Sequence, residues 1–175
     1  MKIEDNFLDQ QQFDVLQNMM MGFNLPWMYN SSIDYDENER DKFQCTHCFY
    51  DSNVPTSSDI EKLNPLLEKI KSISLYRIKA NLLTKTLNII ENEFHIDIGD
   101  YDDENKKTIF PEKLKQWTTS IFYINTNNGY TKFEDGTKVE SVANRLVTFP
   151  ADMKHLGTSC TDEKIRVVIN FNYFK

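Results

Sequence analysis

Cysteine and histidine are both scarce, with three of each in 175 residues. An odd number of cysteines at no framework spacing argues against a disulfide-stapled scaffold and fits a reducing, cytoplasmic setting. No window approaches the ~20 apolar residues that span a bilayer. The opening "MKIEDNFLDQQQ" lacks the basic segment and apolar run of a signal peptide, so neither membrane nor secretion is expected. A basic excess is missing as well. The net charge of −7 opposes the phosphate neutralisation that duplex nucleic acid requires. Glycine and proline, five each, form no linker, and there is no internal repeat. One domain over 1–175 is expected, of ordinary size for a self-sufficient core.

What is present divides in two. Residues 1–73 read as helical and strand support. Residues 1–7 suggest a short strand. A helix follows, with Asp9 as cap and Phe13, Leu16 and Met20 as its apolar stripe, stopping near Gly22. "LPWMY" and "KFQCTHCFY" read as strands around the acidic loop 34–41. "NPLLEKIKSI" reads as a second helix with Asn64 as cap and Pro65 at its first position. From 74 to 174 the segments are short and β-branched or aromatic: "SLYRIKANLL", "EFHIDI", "TTSIFYIN", "YTKF", "TKVES", "RLVTF" and "IRVVINFNYF". "NNG" at 127–129 and "DG" at 135–136 are hairpin-turn signals. Helices followed by about seven strands indicate an α+β sandwich or jelly roll with helices on one sheet and a pocket between sheets. The charged stretch 99–117 breaks the rhythm and reads either as a lid or as a surface insertion.

In a chain so poor in histidine, "NEFHIDIGD" places His95 two residues from Asp97, on one face if the segment is a strand. His155, about sixty residues on, is a third candidate ligand. Two His and one carboxylate occupy one face of an octahedral ion and leave the other positions open, the facial triad of non-haem Fe(II) oxygenases. A closed zinc site wants four protein ligands, usually with thiolates, and no cysteine lies near His95. On the last strand Arg166, Val168, Asn170 and Asn172 share one face, and Val167, Ile169 and Phe171 the other. An arginine facing a pocket calls for an anion, and its planar fork suits a carboxylate. Tyr123 can add a hydroxyl to the same carboxylate. Arg77, Lys79 and Asn81 alternate on their strand and either line the pocket, where they would meet a polar substrate, or face solvent.

His-x-Asp, a distal His and an Arg eleven residues further resembles the 2-oxoglutarate- and Fe(II)-dependent oxygenases, in the prolyl-4-hydroxylase-like branch. "IFYINTNNGYTKFEDG" looks like that branch's tyrosine strand and turn, and the C-terminal run is similar to small oxygenases encoded by bacteriophages. The resemblance implies a double-stranded β-helix, Fe(II) on His95, Asp97 and His155, and 2-oxoglutarate held by Arg166 and Tyr123. It also implies O2 as co-substrate and hydroxylation of a C–H bond, with release of succinate and CO2. Two departures stand out: Gly129-Tyr130 where relatives often have Gly-Gly, and Leu83-Thr84 where many have Tyr-Pro. Both bear on the substrate, which the sequence leaves open between a peptidyl residue such as proline and a small molecule, with Asn170, Asn172, Arg77, Lys79 and Asn81 as candidate contacts.

Other features carry less. "CTHC" at 45–48 lacks a second Cys pair, and Cys45 and Cys48 read as strand thiols. Trp27, Tyr29, Phe43, Phe49 and Tyr50 read as core. Arg145 reads as a turn charge. The rival to an enzyme is a non-catalytic jelly-roll metal- or sugar-binding module or an inactive oxygenase relative, which would leave Arg166 and Tyr123 without a role.

Overall fold

The computed structural model describes residues 1–33, 42–99, 101–102, 107–108 and 111–175. Its elements run β1 (Lys2–Glu4), α1 (Gln10–Met21), β2 (Met28–Asn30), β3 (Gln44–Asp51), β4 (Val54–Pro55), a 3-10 turn (Ser58–Leu63) and α2 (Asn64–Ile70). Then come β5 (Ser74–Thr84), β6 (Tyr101–Asp102), β7 (Lys107–Thr108), α3 (Pro111–Leu114), β8 (Trp117–Tyr123), β9 (Tyr130–Phe133) and β10 (Lys138–Glu140). The chain ends with β11 (Arg145–Pro150), β12 (His155–Gly157) and β13 (Ile165–Phe174).

The major sheet has the order β1-β11-β8-β13-β5-β3-β2, with β4 paired to β3, and the minor sheet has the order β10-β9-β12. All strand pairs are antiparallel. The helices cover one face of the major sheet. Asp9 accepts from the Gln12 N–H and starts α1, whose Phe13, Leu16 and Met20 join Leu63, Leu66 and Ile70 against Ile78, Ala80, Phe122, Val167, Ile169 and Phe171. A second apolar cluster, Ile121, Tyr123, Phe133, Val139, Val147, Phe149 and Val168, fills part of the space between the sheets. This is the helix-backed jelly roll expected from the element pattern.

Four local expectations are corrected. Asn64 is not a cap. It is already helical, because the 3-10 turn, capped by Ser57, runs directly into α2. "NNG" does not close a hairpin. It carries the chain from β8 in the major sheet to β9 in the minor one, whereas "DG" does join β9 to β10, with Gly136 at φ +89°. Residues 93–98 form no strand. They touch β12 through one bridge, His95 with His155, preceded by Glu91 with Thr158. The Asp97 carbonyl bonds the Arg77 side chain instead of a neighbouring strand. Tyr29 and Phe43 are not core: Tyr29 sits on the outermost strand, and both rings face solvent against each other. Phe49 is fully buried, with Trp27 and Tyr50 packed around the same core.

The acidic loop 34–41 and, in the charged stretch 99–117, residues 100, 103–106, 109 and 110 lie outside the described residues. What is described of the latter is β6 paired with β7 and the short α3. Leu114 packs with Ile96, Ile98, Ala151 and Trp117 and so anchors the stretch beside the His95 segment. No described helix is long and apolar enough to cross a membrane.

Candidate metal centre and anion pocket

His95, Asp97 and His155 come together. One ligand atom from each lies within 4.8 Å of the others, and the Nε2 atoms of His95 and His155 stand 3.8 and 3.9 Å from Asp97 Oδ1. Paired backbone bonds between His95 and His155, both 3.0 Å, set the two imidazoles side by side. Glu91 fastens the segment from the other end, accepting from the Tyr130 hydroxyl and the Lys132 ammonium of β9.

The histidine tautomers follow from their other nitrogens. Nδ1 of His95 faces the Glu93 carbonyl at 3.0 Å and Nδ1 of His155 faces the Met153 carbonyl at 3.3 Å. A proton on each Nδ1 leaves both Nε2 lone pairs aimed at Asp97. His155 Nε2 is buried and has no hydrogen-bond partner, an arrangement that costs about 1–3 kcal/mol unless something accepts the lone pair. Burial also pushes the His155 pKa down, with the Asp97 charge countering in part, which favours the neutral, ligating form.

Asp97 is prepared as an anion. Burial opposes its ionisation, but His155, Arg77, His95 and the Asn172 amide outweigh it and hold its pKa at about 2. Asn172 donates to Oδ2 at 3.1 Å, and Asn170 to both oxygens at 3.3 and 3.2 Å. Arg77 donates to the Asp97 carbonyl at 2.6 Å and to Asn172 Oδ1 at 3.2 Å. Two neutral nitrogens and one fixed carboxylate, with no thiolate nearby, suit a divalent first-row metal with open coordination positions.

Arg166 lies further along the same face of β13. It is 3 % exposed and has no acid partner among the described residues. Its Nε donates to Ser141 Oγ at 2.8 Å and its Nη2 to Thr131 Oγ1 at 3.3 Å. Burial pushes its pKa down. The guanidinium lies over the Tyr123 ring, 5.7 Å from ring centroid to Cζ, within cation–π range, and the Tyr123 hydroxyl donates to the same Thr131 oxygen at 2.8 Å. Tyr123 thus supports the arginine and holds Thr131. Gly129 makes this seat possible, because a Cβ there would come within 2.7 Å of Arg166 Cδ and of the Ser159 carbonyl.

One cavity of about 90 Å³ joins the two places, lined by His95, Asp97, His155, Gly157, Arg166, Thr131, Ile121 and Val168. Lys79, Asn81, Asn170 and Gln44 line it as well, with Leu83, Ile33 and Asn92. Of the residues anticipated from sequence, Lys79, Asn81 and Asn170 therefore face the cavity, while Arg77 and Asn172 spend their polar groups on Asp97. Thr131, Ser141, Gly157 and Gln44 were not anticipated. Thr131 was reachable in principle, since on "YTKF" it alternates inward with Phe133; Ser141 and Gln44 give no such signal.

Neither a family model nor a curated protein matches the sequence. Solved structures do match the fold. A prolyl hydroxylase from Trichoplax adhaerens, in complex with a hypoxia inducible factor peptide, superposes with a TM-score of 0.65 at 12% identity, covering 99% of this chain and 82% of that one. A Pseudomonas putida prolyl-4-hydroxylase gives 0.56 at 15% identity, covering 99% and 91%. HygX from Streptomyces hygroscopicus, with nickel and 2-oxoglutarate bound, gives 0.64 at 8% identity, covering 98% and 81%. The chain therefore has the double-stranded β-helix fold of the 2-oxoglutarate/Fe(II) oxygenases, over nearly its whole length.

Proposed function

We propose that this protein is a 2-oxoglutarate- and Fe(II)-dependent dioxygenase that hydroxylates a C–H bond. The observation that carries the reading is Arg166: a buried guanidinium with no acid partner among the described residues, in the same cavity as three side chains that can hold a metal. A cation buried this way is costly unless an anion joins it, and a dicarboxylate with one end on the metal meets that need.

His95, Asp97 and His155 hold the metal through Nε2, a carboxylate oxygen and Nε2. Bound there, Fe(II) with 2-oxoglutarate and O2 supplies the oxidising power: one oxygen atom goes to succinate, released with CO2, and the other enters the substrate C–H bond as hydroxyl. Arg166 and the Thr131 hydroxyl, backed by Ser141 and Tyr123, orient the far carboxylate. Ile121, Val168 and Leu83 give the walls between the ends an apolar lining that excludes water. Asn170, Asn172 and Arg77 fix the Asp97 oxygens so that the carboxylate does not swing away from the metal. A carboxylate at this position occupies the place a halide would take, which favours hydroxylation. The structure neighbours include a prolyl hydroxylase in complex with a peptide and HygX with hygromycin B bound, which supports a peptidyl or small-molecule substrate.

The test is an anaerobic titration with Fe(II) and then 2-oxoglutarate, followed by visible absorption. A weak charge-transfer band that requires both additions and is absent in His95→Ala is the expected result. Metal binding without the band would remove 2-oxoglutarate and leave a metal-binding jelly roll.

A further inference from the structure

Lys79 and Asn81 take no part in the metal or Arg166 arrangements, yet both face the cavity. The Lys79 ammonium makes no hydrogen bond or ion pair among the described residues. Its pKa is pushed down, by burial first and then by Arg77, with Asp97 opposing. The Asp97 carboxylate, which also lines the cavity, is already engaged by the Asn170 and Asn172 amides and faces Arg77 at 3.7 Å. Two acceptors beside Lys79 are also unanswered: Asn81 Oδ1 and Asn170 Oδ1 are buried and have no hydrogen-bond partner among the described residues. The Asn170 amide cannot be turned round, because its NH2 faces the Asp97 carboxylate.

These groups sit apart from the Arg166 end. Lys79 pairs across the strands with Asn170, and Leu83 with Arg166. Four residues along an extended strand separate the two stations by roughly 13 Å, too far for one five-carbon diacid on the metal to use both. On the Lys79 side lies a second cavity of about 230 Å³ that shares Lys79, Gln44, His95 and Asp97 with the first and is lined also by Arg77 and Glu93.

Resting on the oxygenase reading above, we propose that Lys79, Asn81 and Asn170 form the substrate subsite, and that the substrate is a free amino acid. Its carboxylate meets the Lys79 ammonium, and its N–H donors meet the two unpartnered amide oxygens. A cation beside two bare acceptors is the complement of a small molecule carrying an anion and donors together. An internal peptide segment offers N–H groups but no main-chain carboxylate.

The experiment uses the full chain and Lys79→Met, which removes the charge and shortens the side chain by one atom. The Fe(II)/2-oxoglutarate band is recorded first, and succinate release is then measured with each of the twenty common L-amino acids and with their methyl esters. The band is expected in both proteins, which also shows that the variant is folded. At least one free amino acid should raise succinate release, its methyl ester should not, and Lys79→Met should raise its KM on the order of tenfold or more. The proposal is overturned if no amino acid acts, if an ester serves as well as the acid, if KM is unchanged, or if Lys79→Met loses the band and so belongs to the co-substrate. Absence of the band in the unaltered protein would instead overturn the oxygenase reading itself.

Discussion

The two faces of β13 are made from the same ten residues and obey opposite rules. Toward the helices, Val167, Ile169, Phe171 and Tyr173 are buried in an apolar cluster. Toward the cavity, Arg166, Val168, Asn170 and Asn172 are also buried, but three of the four are polar, and one keeps an unanswered acceptor. The outer face stabilises the fold through area removed from water, about 25 cal/mol per Å². The inner face does the reverse, because desolvating a guanidinium and two amides yields nothing unless partners arrive. The strand shows that folding and function are divided by side-chain alternation, and that the expensive half marks the site.

The comparison breaks most visibly at Phe171. Phe171→Ala removes a fully buried ring from the outer cluster and is expected to lower unfolding stability by about 3–5 kcal/mol, read by urea denaturation. The folded fraction should still give the Fe(II)/2-oxoglutarate band. Arg166→Met is the mirror image. Stability should be unchanged or higher, since a buried charge without an acid partner among the described residues is replaced by a shorter apolar chain. 2-Oxoglutarate affinity should fall by about 2–5 kcal/mol, with metal binding kept. Equal loss of stability in both variants would mean that the inner face is structural after all. Gly129→Ala approaches the same pocket from behind. The added methyl meets Arg166 Cδ at 2.7 Å, and weaker 2-oxoglutarate binding with metal affinity kept is the outcome expected in a binding assay.

The alternation of β13 was legible in sequence, and with it the direction of Arg166. The same holds for α1, whose cap and stripe are local. His95, Asp97 and His155 were legible because histidine is rare and the spacing unusual. What stayed hidden depends on the partner rather than on the pattern. A strand face tells where Arg77 and Asn172 point, but not that both end on Asp97. "NNG" announces a turn, but not that the chain leaves one sheet for the other. Residues 93–98 alternate like a strand, yet they meet β12 at a single bridge, His95 with His155, and the Asp97 carbonyl goes to the Arg77 side chain. Tyr29 and Phe43 look like core, and only the position of β2 at the sheet edge exposes them.

Asn172 sharpens the comparison on a smaller scale, since it contributes to the site through Asp97. Asn172→Leu keeps the volume but removes the amide that donates to Asp97 Oδ2 and Thr119 and accepts from Arg77. Metal affinity is expected to fall about 10–100-fold in an anaerobic Fe(II) titration, with His95, Asp97 and His155 all present. An unchanged affinity would mean that Asn170 and Arg77 suffice to hold the carboxylate.

The smallest effect belongs to the surface, where neither face of the strand is involved. Asp5, just after β1, accepts from both Nε and Nη2 of Arg145 at the start of β11. That hydrogen bonding is the main cause of its lowered pKa. A carboxyl whose pKa is lower in the folded chain adds stability above its unfolded value, near 3.8, and that stability disappears as pH falls through the folded value. The pair is exposed on the aspartate side, so Asp5→Asn should cost at most about 1 kcal/mol at neutral pH. The difference between variant and parent should vanish below the folded pKa and shrink with added salt. A cost that persists in strong acid would assign the effect to packing of β1 on β11 instead of to charge.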